Sequence, residues 1–268
     1  MNLLFWNLHK NSNDELVKEI IEEHDVDIAL FAEYVGLNLP ELEKKFDGRY
    51  KNHDGYNGCE KITLFSKASI DVSVNVEHNR YTIYSIIFED INYNLAGIHL
   101  SAKGSDGDNV ERRKDEIRDL VSDICEQEKN NKSSNTLVIG DFNASPFDEE
   151  LVQKNTFNAV LFKELILDKE YVTYCNKKFR RFYNPMLDYI SEDDISYGTY
   201  YYSGGDKPLY WYCYDQVIVR KPLVNLVSDI KFCKVIGRTK LISKTKPKET
   251  ISDHLPLLVH IEGRNINE

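Results

Sequence analysis

Apolar residues along this chain come in short blocks, and each block runs into a polar residue. Leu3-Leu4-Phe5-Trp6 ends at Asn7, and Ile28-Ala29-Leu30-Phe31-Ala32 ends at Glu33. Leu95-Ala96-Gly97-Ile98 ends at His99, and Leu137-Val138-Ile139-Gly140 ends at Asp141. Blocks this short, rich in β-branched and aromatic residues and bounded by turn formers, predict strands rather than helices. The pattern places strands at Asn2–Asn7, Asp27–Glu33, Lys61–Ser66, Ile70–Val76, Tyr81–Phe88, Tyr93–Leu100, Thr136–Ile139, Tyr210–Val219 and Leu255–Ile261. Val74, Val76, Ile83 and Ile87 alternate with polar residues, as half-buried strands do.

Three stretches carry helical spacing instead. Asp14–His24 puts Leu16, Ile20 and Ile21 on one face, with Asn13 as N-cap. Val110–Glu128 puts Val110, Ile117, Leu120, Val121 and Ile124 on one stripe. Glu149–Lys163 also reads as helix. Residues 165–210 are rich in Tyr, Asn, Gly and Asp and show no clear period. Helices interrupt runs of strands rather than alternating with them, which predicts an α+β domain of two packed sheets flanked by helices. A doubly wound parallel sheet is not expected.

The 268 residues suit a single domain, 1–268, large enough to hold a core without disulfides. Hydrophobic residues at 41% and charged residues at 29% argue against disorder and against an integral membrane protein. No apolar run approaches the roughly 20 residues of a membrane helix. MNLLFWNLHK lacks the positive region and cleavage site of a secretory signal. The five cysteines are odd in number and form no CxxC pair, which predicts reduced thiols in a cytoplasmic protein.

Candidate chemistry gathers at the strand ends. Asn7, Glu33, His99, Asp141 and Asn143 follow apolar blocks, Asp215 interrupts Tyr210–Val219, and Asp253 and His254 precede the last block. One acid after a strand is usually a turn residue or a cap. A set of acids, amides and two histidines, mostly where strands meet loops, is a different matter. Acids and amides supply the hard oxygen ligands that Mg²⁺ prefers. Two histidines can donate to an anionic substrate or move a proton.

In chain order the motifs are FWNLH, LFAEY, AGIHLSAKG, VIGDFNASP, YDQVIV and ISDHLPL. Together they resemble the endonuclease/exonuclease/phosphatase superfamily, which includes deoxyribonucleases, apurinic endonucleases, sphingomyelinases, deadenylases and inositol polyphosphate phosphatases. The resemblance spans nearly the whole chain. It implies a four-layer α/β/β/α sandwich of two mostly antiparallel sheets, with the site at one edge. It also implies Mg²⁺, with Mn²⁺ as a substitute, held by Glu33 with Asn7 and Asp253 in or near the metal shell. By the same resemblance Asp141 orients or deprotonates the attacking water and Asn143 positions it. His254 donates to phosphate and is held by Asp215, while His99 is the second donor. Glu60 is a candidate partner for His99. The His99 segment differs from the tyrosine motif typical of apurinic endonucleases, so a dedicated abasic-site enzyme is disfavoured.

The resemblance implies a phosphoester hydrolase, and a nuclease or phosphodiesterase acting on DNA or RNA is the leading expectation. A small-molecule or lipid-headgroup phosphatase, of the inositol phosphate type, is the alternative. Asp+Glu is 44 against 34 Lys+Arg, a net charge of −10, which weighs against a general nucleic-acid coat. The cations are unevenly spread, however. Lys177-Lys178-Phe179-Arg180-Arg181 holds four, and Lys231–Lys248 holds seven without an acid. These predict a basic rim for a phosphate backbone. Lys103, Arg112, Lys244 and Lys246 are candidate substrate-binding residues, and aromatics between Arg181 and Trp211 are candidates for base stacking. No membrane association and no protein partner are inferable.

Overall fold

A computed structural model describes residues 1–53, 61–102, 108–189, 198–204, 208–244 and 246–263. Among these, thirteen strands build two facing sheets: β1 (Asn2–Asn7), β2 (Ile28–Ala32), β3 (Tyr50–Asn52), β4 (Ile62–Lys67), β5 (Asp71–His78), β6 (Tyr81–Phe88), β7 (Ile91–His99), β8 (Thr136–Asp141), β9 (Ala159–Val160), β10 (Phe182–Tyr183), β11 (Asp215–Val219), β12 (Val227–Phe232) and β13 (Leu257–Ile261). The first sheet runs β12-β13-β1-β2-β4-β3 and the second β5-β6-β7-β8-β11-β10-β9. Only β1 with β2, β7 with β8 and β9 with β10 pair in parallel; the other pairs are antiparallel.

The period of two along each strand sorts side chains into layers. Leu3, Phe5, Leu30 and Leu257 point between the sheets and meet Leu95, Leu137, Ile139 and Val217 there. Leu4, Trp6, Phe31 and Phe65 point the other way, onto Val17, Ile20 and Ile21 of α1 (Asp14–Glu23) and Leu39 and Leu42 of α2 (Leu39–Lys45). On the far side, Ile83, Ala96, Ile98 and Val138 receive Ile117, Leu120 and Ile124 of α3 (Asp108–Asn130). The result is the four-layer helix–sheet–sheet–helix sandwich expected from the sequence.

Several local expectations differ. The helical spacing over Glu149–Lys163 breaks up: α4 covers only Glu149–Val152 and α5 starts at Lys163, with β9 between them. The Gln153-Lys154-Asn155-Thr156 stretch turns, and Asn158 adopts a φ of 50°. Phe157 is thereby drawn into a ring cluster with Phe142 and Phe182. Tyr210–Val219 is two strands, not one. Tyr210–Tyr212 pairs with Tyr200–Tyr202 in a separate hairpin, and β11 begins at Asp215. Asn13 does not cap α1 with its side chain; its amide donates to the Ile251 carbonyl instead (2.7 Å). Helix α2 carries signals visible in the sequence: Asn38 caps it by accepting the Glu41 N–H, and Pro40 lies in its first turn.

Gly140 lies opposite Ile98 across the β7–β8 pair. Its φ is +155°, and a Cβ there would lie 2.1 Å from the Ile98 carbonyl oxygen, a backbone atom that cannot yield cheaply. Gly140→Ala is expected to cost about 2–4 kcal/mol through strain at a special backbone position, and so to lower Tm by roughly 4–16 °C for a chain of this size. An unchanged thermal melt would show that the β7–β8 pairing tolerates the methyl group.

Candidate active site

The sheet registers bring the strand-end residues together. In the second sheet His99 lies opposite Asp141 across the parallel β7–β8 pair, and Asp141 lies opposite Asp215 across the antiparallel β8–β11 pair. His99, Asp141 and Asp215 therefore form one row along an edge. In the first sheet Asn7 lies opposite Ala32, so Glu33 leaves β2 beside Asn7. His254 arrives just before β13, which pairs with β1. The edges of both sheets thus deliver their polar residues to one cleft.

Glu33 and Asn143 both adopt left-handed backbone, at φ 47° and 48°. Non-glycine residues in that region cost energy and concentrate at functional turns. Here the turns swing each chain away from its strand directly after the block that delivers it.

Asp141 Oδ2 is the hub. Asn7 Nδ2 donates to it at 3.2 Å, and His99 Nε2 and His254 Nε2 lie 3.7 and 3.9 Å away. Its other oxygen accepts the Asn143 N–H at 2.9 Å, while the Asn143 amide donates to the Leu100 carbonyl. Glu33 Oε1 is 3.7 Å from His99 Nε2. His254 Nδ1 meets Asp215 Oδ2 at 2.8 Å, inside the protein.

Burial and neighbours set the charges. Desolvation pushes the Asp141 carboxyl up to about 7, against the pull of the His254 charge. Burial also opposes a charged His254, but Asp215, Asp141 and Asp253 outweigh it and raise the ring to about 10, an imidazolium. His99 goes the other way. Burial lowers it to about 4, with the charges of His254, Arg80 and Lys61 lowering it further and Glu33 opposing. Two similar histidines in the sequence thus differ in charge, one a cation and the other a neutral ring. His99 Nδ1 is buried and has no partner among the described residues.

Asp253 stands apart from the hub. Its Oδ1 lies 3.2 Å from His9 Nδ1 without hydrogen-bond alignment. His9 was not singled out by its sequence position, although it belongs to the FWNLH block. Ser252 was also missed: its hydroxyl donates to the Asn7 carbonyl (2.6 Å) and accepts the His254 N–H (3.0 Å), tying together two site segments of the first sheet. Thr199 Oγ1 accepts the Asp215 N–H, and the Tyr200 ring packs 4.8 Å from that of His254.

The cleft holds the carboxyl groups of Glu33, Asp141, Asp215 and Asp253 against the single imidazolium of His254. Asp215 Oδ1 and Asp253 Oδ1 are buried without hydrogen-bond partners among the described residues. A surplus of oxygen donors and negative charge fits a hard divalent cation. Ligand atoms of Asp141, Asp215 and His254 lie within 4.8 Å of one another. As an imidazolium His254 offers no lone pair to an ion, and the outer carboxylate, Glu33, is the acid that could hold one.

The candidate rim residues divide. Arg112 lies beside the His99 segment, through Glu116. Lys246 pairs with Glu249, and the Lys246–Pro247 strand lies against the tyrosine hairpin at residues 200–202. Lys244 is exposed at φ 58°. Lys103 and Glu60 fall outside the described residues. The Lys177–Arg181 cluster is not at the cleft. Arg180 pairs with Glu128, which also binds Arg220 and the Thr136 hydroxyl at the start of β8. Asp141 is at the other end of that strand. This cluster therefore anchors a hairpin at the opposite sheet edge, and the expected basic rim does not include it.

Residues 4–254 match the model of the Endonuclease/Exonuclease/phosphatase family. The chain belongs to that family. It is accordingly an enzyme, a metal-dependent hydrolase of the phosphodiesterase and endonuclease type. No curated protein sequence matches significantly. Solved structures share the fold at low identity. A truncated TDP2 from Caenorhabditis elegans is 14% identical, with a TM-score of 0.59 over 98% of this chain and 97% of that one. An AP endonuclease from Archaeoglobus fulgidus is 15% identical, with a TM-score of 0.58 over 98% and 100%. TDP2 from D. rerio, complexed with a single-strand DNA product, is 14% identical, with a TM-score of 0.55 over 98% and 99%. No described helix is long and apolar enough to cross a membrane.

Proposed function

We propose that this family member is a Mg²⁺-dependent nuclease that hydrolyses phosphodiesters of DNA or RNA by attack of water on phosphorus. The observation that carries the reading is the convergence on Asp141 Oδ2. A carboxyl raised to about 7 by burial faces an imidazolium and a neutral imidazole across one small space. A base poised near neutral pH and a fixed cation are what attack on an anionic phosphate requires.

Asp141 takes the proton from the attacking water, its carboxylate held in place by the Asn7 amide and the Asn143 N–H. His254, locked as a cation by Asp215, donates Nε2–H to a non-bridging phosphate oxygen. His99 offers a neutral Nε2–H to the leaving oxygen as the P–O bond breaks. Glu33 and Asn7 would hold the divalent ion, with Asp253 close by on the His9 side. When bound, that ion stabilises charge on the phosphate and the departing oxygen. The single-strand DNA product in the D. rerio TDP2 structure supports a nucleic-acid substrate on this fold. Lys244, exposed, and Lys246, paired with Glu249, are the rim cations offered for contact with a nucleic-acid backbone. The first strand pairing with the last, and a family match over 4–254, support a single domain. Four described cysteines are free, which supports a cytoplasmic setting.

Plasmid, single-stranded DNA and RNA incubated with Mg²⁺ or Mn²⁺ should show cleavage that EDTA stops. Mg²⁺ should also raise Tm of the unmodified protein, because an ion that binds only the folded state stabilises it. Glu33→Ala should lose both the cleavage and the shift. Turnover of inositol phosphates with all three nucleic acids left intact would replace this reading with a phosphatase.

A further inference from the structure

The hairpin of Tyr171–Tyr174 and Lys177–Arg180 belongs to neither large sheet. A lone two-stranded ribbon is marginal by itself, and arginines fix the base of this one. Arg180 pairs with Glu128 and Glu170. Arg181 donates to the Lys169 and Tyr171 carbonyls, and Arg220 to the Arg180 and Arg181 carbonyls. The chain reverses through Cys175 and Asn176, both left-handed at φ 46° and 58°, a tight turn matched to the twist of the strands. The tip is therefore short and stiff, yet no residue of the hairpin joins the buried core. Tyr171 and Tyr174 are 43% and 50% exposed, and Cys175, Asn176, Lys177 and Lys178 are exposed too.

The register sorts these side chains onto two faces. Tyr171 shares one face with Lys178 and Arg180, and Tyr174 shares the other with Lys177. Lys178 Nζ stands 4.8 Å from the centre of the Tyr171 ring, and Lys154 Nζ, just beyond α4, stands 4.7 Å from that of Tyr174. The acids at this hairpin are taken by Arg180, and Lys154, Lys177 and Lys178 make no ion pair among the described residues. Lysines crowded together without acids, in a chain of net charge −10, repel one another. A polyanion laid across them relieves that repulsion. Each ring offers a π-face on which any base stacks, and the lysine beside it serves the phosphate next to that base. An acidic peptide would use the lysines and leave the rings idle. A lipid surface would call for an apolar tip, whereas this one reads Cys175-Asn176-Lys177.

We propose that this hairpin is a docking site for single-stranded nucleic acid, separate from the cleft. Bases stack on Tyr171 and Tyr174, and Lys154, Lys177 and Lys178 take the flanking phosphates. The choice of polymer rests on the nuclease reading, but the binding is testable without catalysis. A long strand held here stays near the enzyme between cuts, because a second contact raises the effective concentration at the first.

Anisotropy of a labelled oligothymidylate, read on the full-length protein in EDTA, tests the site. Tyr174→Ala should bind it about tenfold more weakly, the scale of one stacked base. The same variant should bind heparin, which has charge but no bases, as tightly as the unmodified protein does. Lys177→Gln combined with Lys178→Gln should weaken both ligands. It should also lower the log–log salt slope for the oligonucleotide by about 1.4, from two single-strand phosphate contacts. Tyr171→Ala repeats the stacking test on the other face, and thermal melts establish that each variant folds. Saturating oligonucleotide should slow alkylation of Cys175 at the tip, read by peptide mass. Turnover of bis(p-nitrophenyl) phosphate should stay unaltered in every variant. Unchanged oligonucleotide affinity in both stacking variants, an equal loss on heparin, or undiminished alkylation of Cys175 overturns the docking site. So does loss of binding to phosphatidylserine vesicles with oligonucleotide affinity intact, which would assign the hairpin to a lipid surface. Base-dependent binding by a protein that cleaves no nucleic acid keeps the docking site and removes the nuclease reading. Cleavage of oligonucleotides whose affinity the variants leave untouched does the reverse.

Discussion

Asp141→Asn is expected to lower kcat by about 10²–10⁴-fold while stabilising the metal-free protein at neutral pH and above. The two effects share one cause. Asp141 is buried, and burial raises its carboxyl from the ordinary 3.8 to about 7. The folded state therefore binds a proton more tightly than the unfolded state does. Stability is undiminished below pH 4, where both states are protonated, and falls as pH rises toward 7. Asparagine removes this cost. It also sets one amide against the Asn7 amide, which forfeits about 1 kcal/mol of hydrogen bonding. The Tm of the variant should lie a few degrees above the unmodified protein at pH 8, and the gap should close toward pH 4. Equal melting temperatures at both pH values would mean that Asp141 ionises without penalty, and the case for it as a base poised near neutrality would weaken. Full activity in the variant would remove it from the site.

Asp215→Asn is expected to change the pH dependence as well as the rate. His254 is an imidazolium because Asp215, with help from Asp141 and Asp253, overcomes the burial that opposes its charge. Its folded value of about 10 exceeds the ordinary 6.5, so the pair's contribution to stability is full below pH 6.5 and disappears as pH rises through 10. Without the Asp215 charge the ring loses its proton at lower pH. At pH 8, kcat should drop by about 10²–10⁴-fold, and part of the loss should return on acidification to pH 6. His254→Ala should show the drop without the recovery. A profile of unchanged shape in Asp215→Asn would mean that Asp215 does not set the charge of His254. The melting temperatures of Asp141→Asn are read on the metal-free protein and the pH profile of Asp215→Asn on the metal-loaded enzyme, so these two measurements are independent.

Much of the site was legible because the strands are short. A block of four or five apolar residues fills the sandwich, and the next residue must emerge where the layer ends. Asn7, Glu33, His99 and Asp141 all lie at that boundary, so chain position alone marked them. Other parts were less legible. Phe157 is pulled into a ring cluster by side chains from β10 and from the turn after β8, and no local period reports such a pull. The basic run at Lys177–Arg181 looked like a rim, yet Glu128 holds it at the far edge of the sheet. Ser252 and Thr199 act on backbone groups of other segments, so their identity alone carries no signal.

By itself the sequence determined the layers of the fold, the superfamily chemistry and the residues that reach the sandwich edge. Periodicity and block length are local properties, and the edge residues follow from them. Only the tertiary structure decided what those residues are to one another. The register set His99, Asp141 and Asp215 in a row. Charge state was decided there too, because it depends on burial and on neighbours through space. His99 is neutral and His254 is a cation for that reason, although both are histidines at the edge of a strand.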